Sequence, residues 1–285
     1  MEIKLCAFAD EASAMLEGQI QALKRNGIKL IELRGIDGKN VSAVSLAEAE
    51  GCAQRLRESG IDVWSIGAPI GKIDIGGDYS EHLELARHVF RLAGVFGTDK
   101  IRVFSFYTAE HASHREKVFL QMRELVSLAA EFGVKLFHEN EKGIFGDTAE
   151  NVKDLLDNVK GLYSIYDPAN YVQCGQNMKA AMASLAHVAS YYHIKDALFE
   201  GGAVVPSGFG DGEIPALIAA IDMDAVLTLE PHLKLFEGYA GIDRHELKGK
   251  FMYSSSDEAF DAAANALKDI LRNTGYKEES GAWIR

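Results

Sequence analysis

Short apolar runs recur along the chain, each followed by an amphipathic stretch of helical period. IKLCAF (3–8), IKLIELRG (28–35), IDVWSIG (61–67) and KIRVFSFY (100–107) read as strands. VKLFHE (134–139), LYSIYD (162–167), ASYYHIK (189–195) and AVLTLE (225–230) continue the series. Between them lie helical patterns such as MLEGQIQALKRNG, where Leu16, Ile20 and Leu23 share one face and Ser13 reads as the cap. Gly27, Gly60, Gly97 and Gly133 each follow a helix and precede a strand, the place of a left-handed C-terminal cap. The chain ends in a further helical pattern, DEAFDAAANALKDILRN.

Eight strands alternating with eight helices predict an α/β fold with a parallel sheet, closed as a single (β/α)8 TIM barrel rather than left open. No Pro/Ser-rich linker, low-complexity tract or shift in composition divides the 285 residues, so one domain spanning 1–285 is expected. HLKLFEGYAGIDRHELKGKFMYSSS, between the eighth strand and the last helix, is long for a connection and reads as a lid or an oligomer contact.

In such a barrel the functional groups sit at the C-terminal strand ends. Four late strands stop on residues that ligate metals: LFHEN on Glu139, SIYDPAN on Asp167, YYHIKD on His193 and VLTLEPH on Glu230. They are separated by 28, 26 and 37 residues, about one strand-plus-helix unit each, which brings all four to one rim. Three carboxylates and one imidazole form an oxygen-rich set suited to Mn²⁺, Mg²⁺ or Co²⁺ and able to take Zn²⁺. Converging without a cation, three carboxylates would repel one another. Earlier strand ends add Asp10, Glu11, Glu32, Arg34 and Lys72 to the rim, with Phe104, Phe106 and Tyr107 at the fourth strand.

Composition narrows the partners. With 30 Lys+Arg against 42 Asp+Glu the net charge is −12, which repels phosphate backbones and anionic membranes, so neither nucleic acid nor membrane is expected. Cys6, Cys52 and Cys174 are odd in number and show no CxxC spacing, consistent with a reducing cytoplasm. LCAFA is too short for the core of a signal peptide, and no stretch has the length of a membrane span.

HEN at Glu139, DPAN at Asp167, HIKD at His193 followed by VVPSGFGDGEIP, and LEPH at Glu230 resemble the xylose isomerase-like TIM-barrel superfamily, in its sugar phosphate isomerase/epimerase branch. FADE, IELRGIDGKN and SIGAPIGK extend the likeness over nearly the whole chain. The resemblance implies one divalent metal ion, Mn²⁺ as first choice, held by Glu139, Asp167, His193 and Glu230, with Glu139 and Glu230 also moving protons. It implies an isomerase or epimerase acting on a sugar, ketose or sugar phosphate through a metal-stabilised enediolate, and homo-oligomerisation. The alternative is a lyase or dehydratase on a keto-polyol or keto-sugar. A non-catalytic sugar-binding barrel and an endonuclease IV-like hydrolase rank below it, the latter because of the acidic charge. Ketose 3-epimerases place a His three residues after the metal-binding Asp and an Arg six after the metal-binding His, where this chain has Asn170 and Phe199.

Other candidates follow from position. Lys72, Lys142 and Lys195 can bind a phosphate, carboxylate or enolate oxygen. Lys195, next but one to His193, falls on the same side of its strand and is the preferred substrate contact. Asn170, Phe106, Tyr107 and His232 complete the substrate-binding set, while His138 should face the helices by alternation. An anion could sit at the glycines of GFGDG, ahead of the helix EIPALIAAI.

Overall fold

The computed structural model describes residues 1–233, 251 and 253–285. The proposed lid or oligomer contact falls largely on 234–250 and 252, outside the described residues. Eight strands alternate with helices: β1 (Glu2–Ala7), β2 (Leu30–Leu33), β3 (Asp62–Ile66), β4 (Lys100–Val103), β5 (Lys135–Glu139), β6 (Leu162–Tyr166), β7 (Tyr191–Ile194) and β8 (Ala225–Leu229). Each pairs in parallel with the next. β8 returns to β1, with Leu5 opposite Leu227 and Ala7 opposite Leu229, so the sheet closes as a (β/α)8 barrel.

The helices are α1 (Leu16–Arg25), α2 (Leu46–Glu58), α3 (Tyr79–Phe96), α4 (His111–Glu131), α5 (Ala149–Asn158), α6 (Pro168–Gln173), α7 (Met178–Leu185), α8 (Ile214–Ala220) and α9 (Ser256–Asn273). The glycine stops hold: Gly27, Gly60, Gly97 and Gly133 all have φ between 66° and 74°. One local expectation is corrected. Ser13 is not the cap of α1; the helix starts after Met15, and Asp37, from the turn beyond β2, accepts the Leu16 amide at 2.8 Å. In the DPAN segment, Pro168 at the first helical turn and Asp167 as its cap start the short helix α6.

Apolar packing falls into two parts, as strand alternation requires. One face of each strand packs against the helices in a large core, while Cys6, Phe137, Ile165, Tyr191 and Val226 form a second cluster inside the bore. Trp64 closes this floor, its ring edge-on to Tyr191 at 5.8 Å. Below the floor, the hairpin strands β9 (Lys277–Glu279) and β10 (Ala282–Ile284) pair antiparallel, and β10 also pairs with the start of β1, burying Trp283. Trp283 joins the helix-side core, with the Arg272 guanidinium of α9 5.5 Å from its ring, so the hairpin ties the start of β1 to the last helix.

Trp283→Ala should lower the unfolding free energy by about 3–5 kcal/mol, the cost of deleting a buried indole. Urea denaturation measures this, and metal affinity at the opposite end should stay within about twofold of the parent. A loss below about 1 kcal/mol would show that the hairpin adds little to the core.

Candidate metal centre

Above the apolar floor, the C-terminal mouth of the bore is almost entirely charged. Asp10, Glu11, Glu32, Glu139, Asp167 and Glu230 are all buried there, with Arg34, Arg102, Lys195 and His193. Buried charge is costly unless each group meets its opposite, so the side chains are locked into pairs. His193 has Nδ1 at 2.9 Å from Glu139 Oε1 and 3.7 Å from Glu230 Oε2. Its Nε2 lies 3.1 Å from Glu32 Oε2. Lys195 Nζ is 3.2 Å from Asp167 Oδ2 and 3.4 Å from Glu230 Oε2.

The remaining oxygens of the two glutamates belong to arginines. Arg102 donates to Glu139 Oε2 at 3.1 Å and to the Gly67 carbonyl at 2.9 Å. Arg34 donates to Glu230 Oε1 at 3.0 Å, to Glu11 at 2.9 Å and to both oxygens of Asp10. Both guanidinium groups lie over the Phe8 ring, at 4.5 and 5.4 Å, and His193 meets the same ring edge-on at 5.1 Å. The bulge in β2 between Ile31 and Glu32 re-aims the strand at the point where Glu32 enters the bore.

These surroundings set the proton affinities. Burial alone would raise Glu139, but His193 and Arg102 outweigh it and hold its carboxyl down at about 2. Burial lifts Asp167 to about 7 against the pull of Lys195. His193 is driven the other way: burial would depress it, yet Glu139 and Glu32 push it up to about 10. Six carboxylates face three permanent cations in this mouth. A divalent ion beside neutral imidazoles would correct the deficit as well as two imidazolium ions do.

Glu139, Asp167, His193 and Glu230 can each present one ligand atom within 4.8 Å of the others, and all four are buried. Asp167 Oδ2 has no hydrogen-bond partner, although Lys195 is within ion-pair distance. His193 keeps its Nε2 side on Glu32 and turns Nδ1 toward the carboxylates, the arrangement by which an outer carboxylate selects the tautomer of a ligating histidine. The donor set and its geometry fit a divalent ion.

The other expected residues separate into three groups. Lys195 joins the cluster, and His232 stands beside it at the rim with Nε2 3.2 Å from Glu230 Oε1. Asn170 lies behind the cluster, donating to the Asn140 carbonyl at 2.7 Å, with Glu139 Oε1 at 3.5 Å. Lys72 pairs with Glu141 and covers the Phe104 ring at 4.3 Å, and Tyr107 is partly exposed in the neighbouring loop. Phe106 departs from expectation: β4 ends at Val103, and Phe106 adopts φ 65° and is wholly buried against Tyr79 and His82 of α3. It packs the helix layer and leaves no surface for a ligand. The GFGDG amides are likewise taken, since Gly208, Gly210 and Gly212 donate to the carboxylate of Asp196.

Arg102 escaped sequence reasoning. Its signal was a charged residue inside an apolar strand, where alternation turns Ile101 and Val103 to the helices and Arg102 into the bore. His138 follows the same alternation outward and bonds Ser105 Oγ at 2.9 Å. Burial keeps it neutral, with its pKa down at about 4.

Glu32→Gln should weaken metal binding by about 10–100-fold, measured by competition with a chromophoric chelator, because His193 loses the charge that orients it. An affinity within twofold of the parent would exclude that role. For His138 the folded pKa lies below the unfolded one, so the unfolded chain binds protons first as pH falls. This contribution to stability is complete above about pH 6.5, declines as pH drops and is gone near pH 4, a total of about 3 kcal/mol. Denaturant titrations of chelated protein across that window should show the slope reduced in His138→Gln, and an unchanged slope would refute the assignment.

Comparison with known proteins agrees with the barrel fold. No curated protein matches the sequence significantly. Among solved structures, the probable 3-DHS dehydratase AsbF from Bacillus anthracis aligns with a TM-score of 0.68 at 17% identity, covering 94% of this chain and 99% of that one. An L-ribulose 3-epimerase aligns at 0.69 and 16%, covering 96% and 95%. The IOLI protein, crystallised with a bound zinc atom, aligns at 0.70 and 16%, covering 95% and 99%. These likenesses establish a shared fold. The family model for xylose isomerase-like TIM barrels matches residues 20–271, nearly the whole barrel. The chain belongs to the xylose isomerase-like TIM barrel family.

Proposed function

We propose that this protein is a divalent-metal-dependent isomerase or epimerase acting on a small carbohydrate, a ketose or sugar phosphate, by proton transfer next to a carbonyl. The observation that carries the reading is the convergence of Glu139, Asp167, His193 and Glu230 at the mouth of the barrel. An epimerase and a zinc-binding protein among the similar structures support it. Manganese is the preferred ion for so oxygen-rich a set.

When bound by these four residues, the ion would supply Lewis acidity that stabilises negative charge developing on the substrate's carbonyl oxygen. The chain's own residues do the rest. Glu139 and Glu230 are both kept ionised, and as carboxylates they accept and return the proton on carbon. Burial acts to raise Glu230, but Lys195 and His232 override it and hold it well below the ordinary range. Lys195, between Asp167 and Glu230, presents an ammonium where an enolate or hydroxyl oxygen would lie. His232 shares a short contact with Glu230 and stands at the rim, placed to pass a proton between that carboxylate and solvent. In this reading Lys72 and Tyr107 meet the substrate from the loops after β3 and β4, and Asn170, 3.5 Å from Glu139 Oε1, steadies that carboxylate from behind.

A second reading, a dehydratase, has a specific observation in its favour. Asn170 is spent on the Asn140 carbonyl and Phe199 is exposed, so the two positions at which ketose 3-epimerases carry a sugar-holding His and Arg carry neither residue. The same proton abstraction followed by loss of a β-hydroxyl yields an unsaturated product, and a probable dehydratase is among the similar structures.

Incubating the Mn²⁺-loaded protein in D₂O with ketoses, ketose phosphates and inososes should place deuterium at the carbon beside the carbonyl. The signal should vanish with chelator and fall by about 10²–10⁴-fold in Glu139→Gln and in Glu230→Gln. The NMR spectrum of the product separates epimer, isomer and dehydrated species. Exchange that survives both substitutions would overturn the assignment of the two glutamates.

A further inference from the structure

A second group of metal-type ligands adjoins the first. Glu11, Glu230 and His232 can also present ligand atoms within 4.8 Å of one another, and Asp10 lies alongside. Glu230 belongs to both groups, with Oε2 toward Lys195 and His193 and Oε1 toward Glu11 and His232. A carboxylate shared in this way is the usual bridge of a two-metal centre, whose ions sit about 3.5–4 Å apart.

Here the second position is filled by the protein itself. The Arg34 guanidinium has Nη1 3.0 Å from Glu230 Oε1 and 3.3 Å from His232 Nε2, Nη2 2.9 Å from Glu11 Oε1, and Nε 2.9 Å from Asp10 Oδ2. Its side chain is only 4% exposed, and the Phe8 ring lies beneath the guanidinium at 4.5 Å, fixing its plane. All three nitrogens are engaged by the residues that would otherwise face a cation.

We infer that Arg34 stands in for a second cation and limits the centre to one metal ion. This rests on Glu139, Asp167, His193 and Glu230 forming the metal site of the proposed function. The chemical consequence is specific. A guanidinium neutralises Glu11 and Glu230 but offers no open coordination position, so it cannot activate water or grip a substrate oxygen as a second metal does. The centre is thereby kept for chemistry that needs one Lewis acid, and closed to two-metal hydrolysis. Arg34 is a positioning residue in this scheme, acting through Glu230.

The test counts metal and requires no substrate. Chelated protein is dialysed against Mn²⁺, and bound manganese per chain is measured by plasma mass spectrometry, with EPR to detect a spin-coupled pair. The parent should hold one ion. Arg34→Met, which removes the charge at similar length, should hold two and show coupling. Arg34→Lys, which keeps the charge, should hold one, and Glu11→Gln added to Arg34→Met should abolish the second. Arg34→Gln replaces Arg34→Met if the latter does not give folded protein, with the same expected count. One ion in the parent and one in the neutral variant would overturn the inference while leaving the metal centre intact. No ion in the parent would overturn the metal centre itself, and the inference with it.

Discussion

The architecture of this protein turns on compensating buried negative charge. Six carboxylates are gathered in the mouth of a barrel whose floor is hydrocarbon and aromatic rings. Each would cost several kcal/mol to desolvate alone. Every one is answered by a cation, an imidazole or a hydroxyl: Asp10 and Glu11 by Arg34, Glu139 by Arg102 and His193, Asp167 by Lys195, Glu230 by Arg34 and Lys195, Glu32 by His193 and Tyr191. The pairing divides Glu139 and Glu230 alike, one oxygen held by an arginine and the other turned toward the cluster.

That division links packing to chemistry. Phe8 supplies one aromatic surface for both guanidinium groups and for the edge of His193, so a single residue of the β1 end orients groups that bear on Glu139, Glu230 and His193. Beneath it, Tyr191 belongs to the apolar floor yet directs its hydroxyl to Glu32, joining the floor to the outer partner of His193. The four clustered side chains are thus fixed from below by packing and from the sides by charge, which is the rigidity that a preorganised site requires.

Position along the chain and position in space carried different information. Strand-helix alternation, the glycine stops and the strand ends at Glu139, Asp167, His193 and Glu230 are local features, governed by periodicity and by the rule that a parallel barrel gathers its C-terminal strand ends. They were legible in the sequence. Alternation also placed His138 outward and Lys195 with His193, since a strand turns successive residues to opposite faces. The family resemblance, resting on the same segments, pointed to the fold and the ligand set together.

What the tertiary structure decided was which groups compensate which. Arg34 meets Glu230 across 196 residues and Glu32 meets His193 across 161, contacts made only when the barrel closes. Local pattern likewise could not show that Phe106 turns into the helix layer after β4 ends, or that the GFGDG amides are claimed by Asp196. In each case a residue's type offered several partners, and long-range packing chose one. The sequence by itself determined the barrel and the gathering of Glu139, Asp167, His193 and Glu230 at its mouth, because both follow from short-range periodicity. The neighbours that set the charge, tautomer and orientation of these four residues were decided by the fold, because electrostatic pairing depends on distance in space and not on separation along the chain.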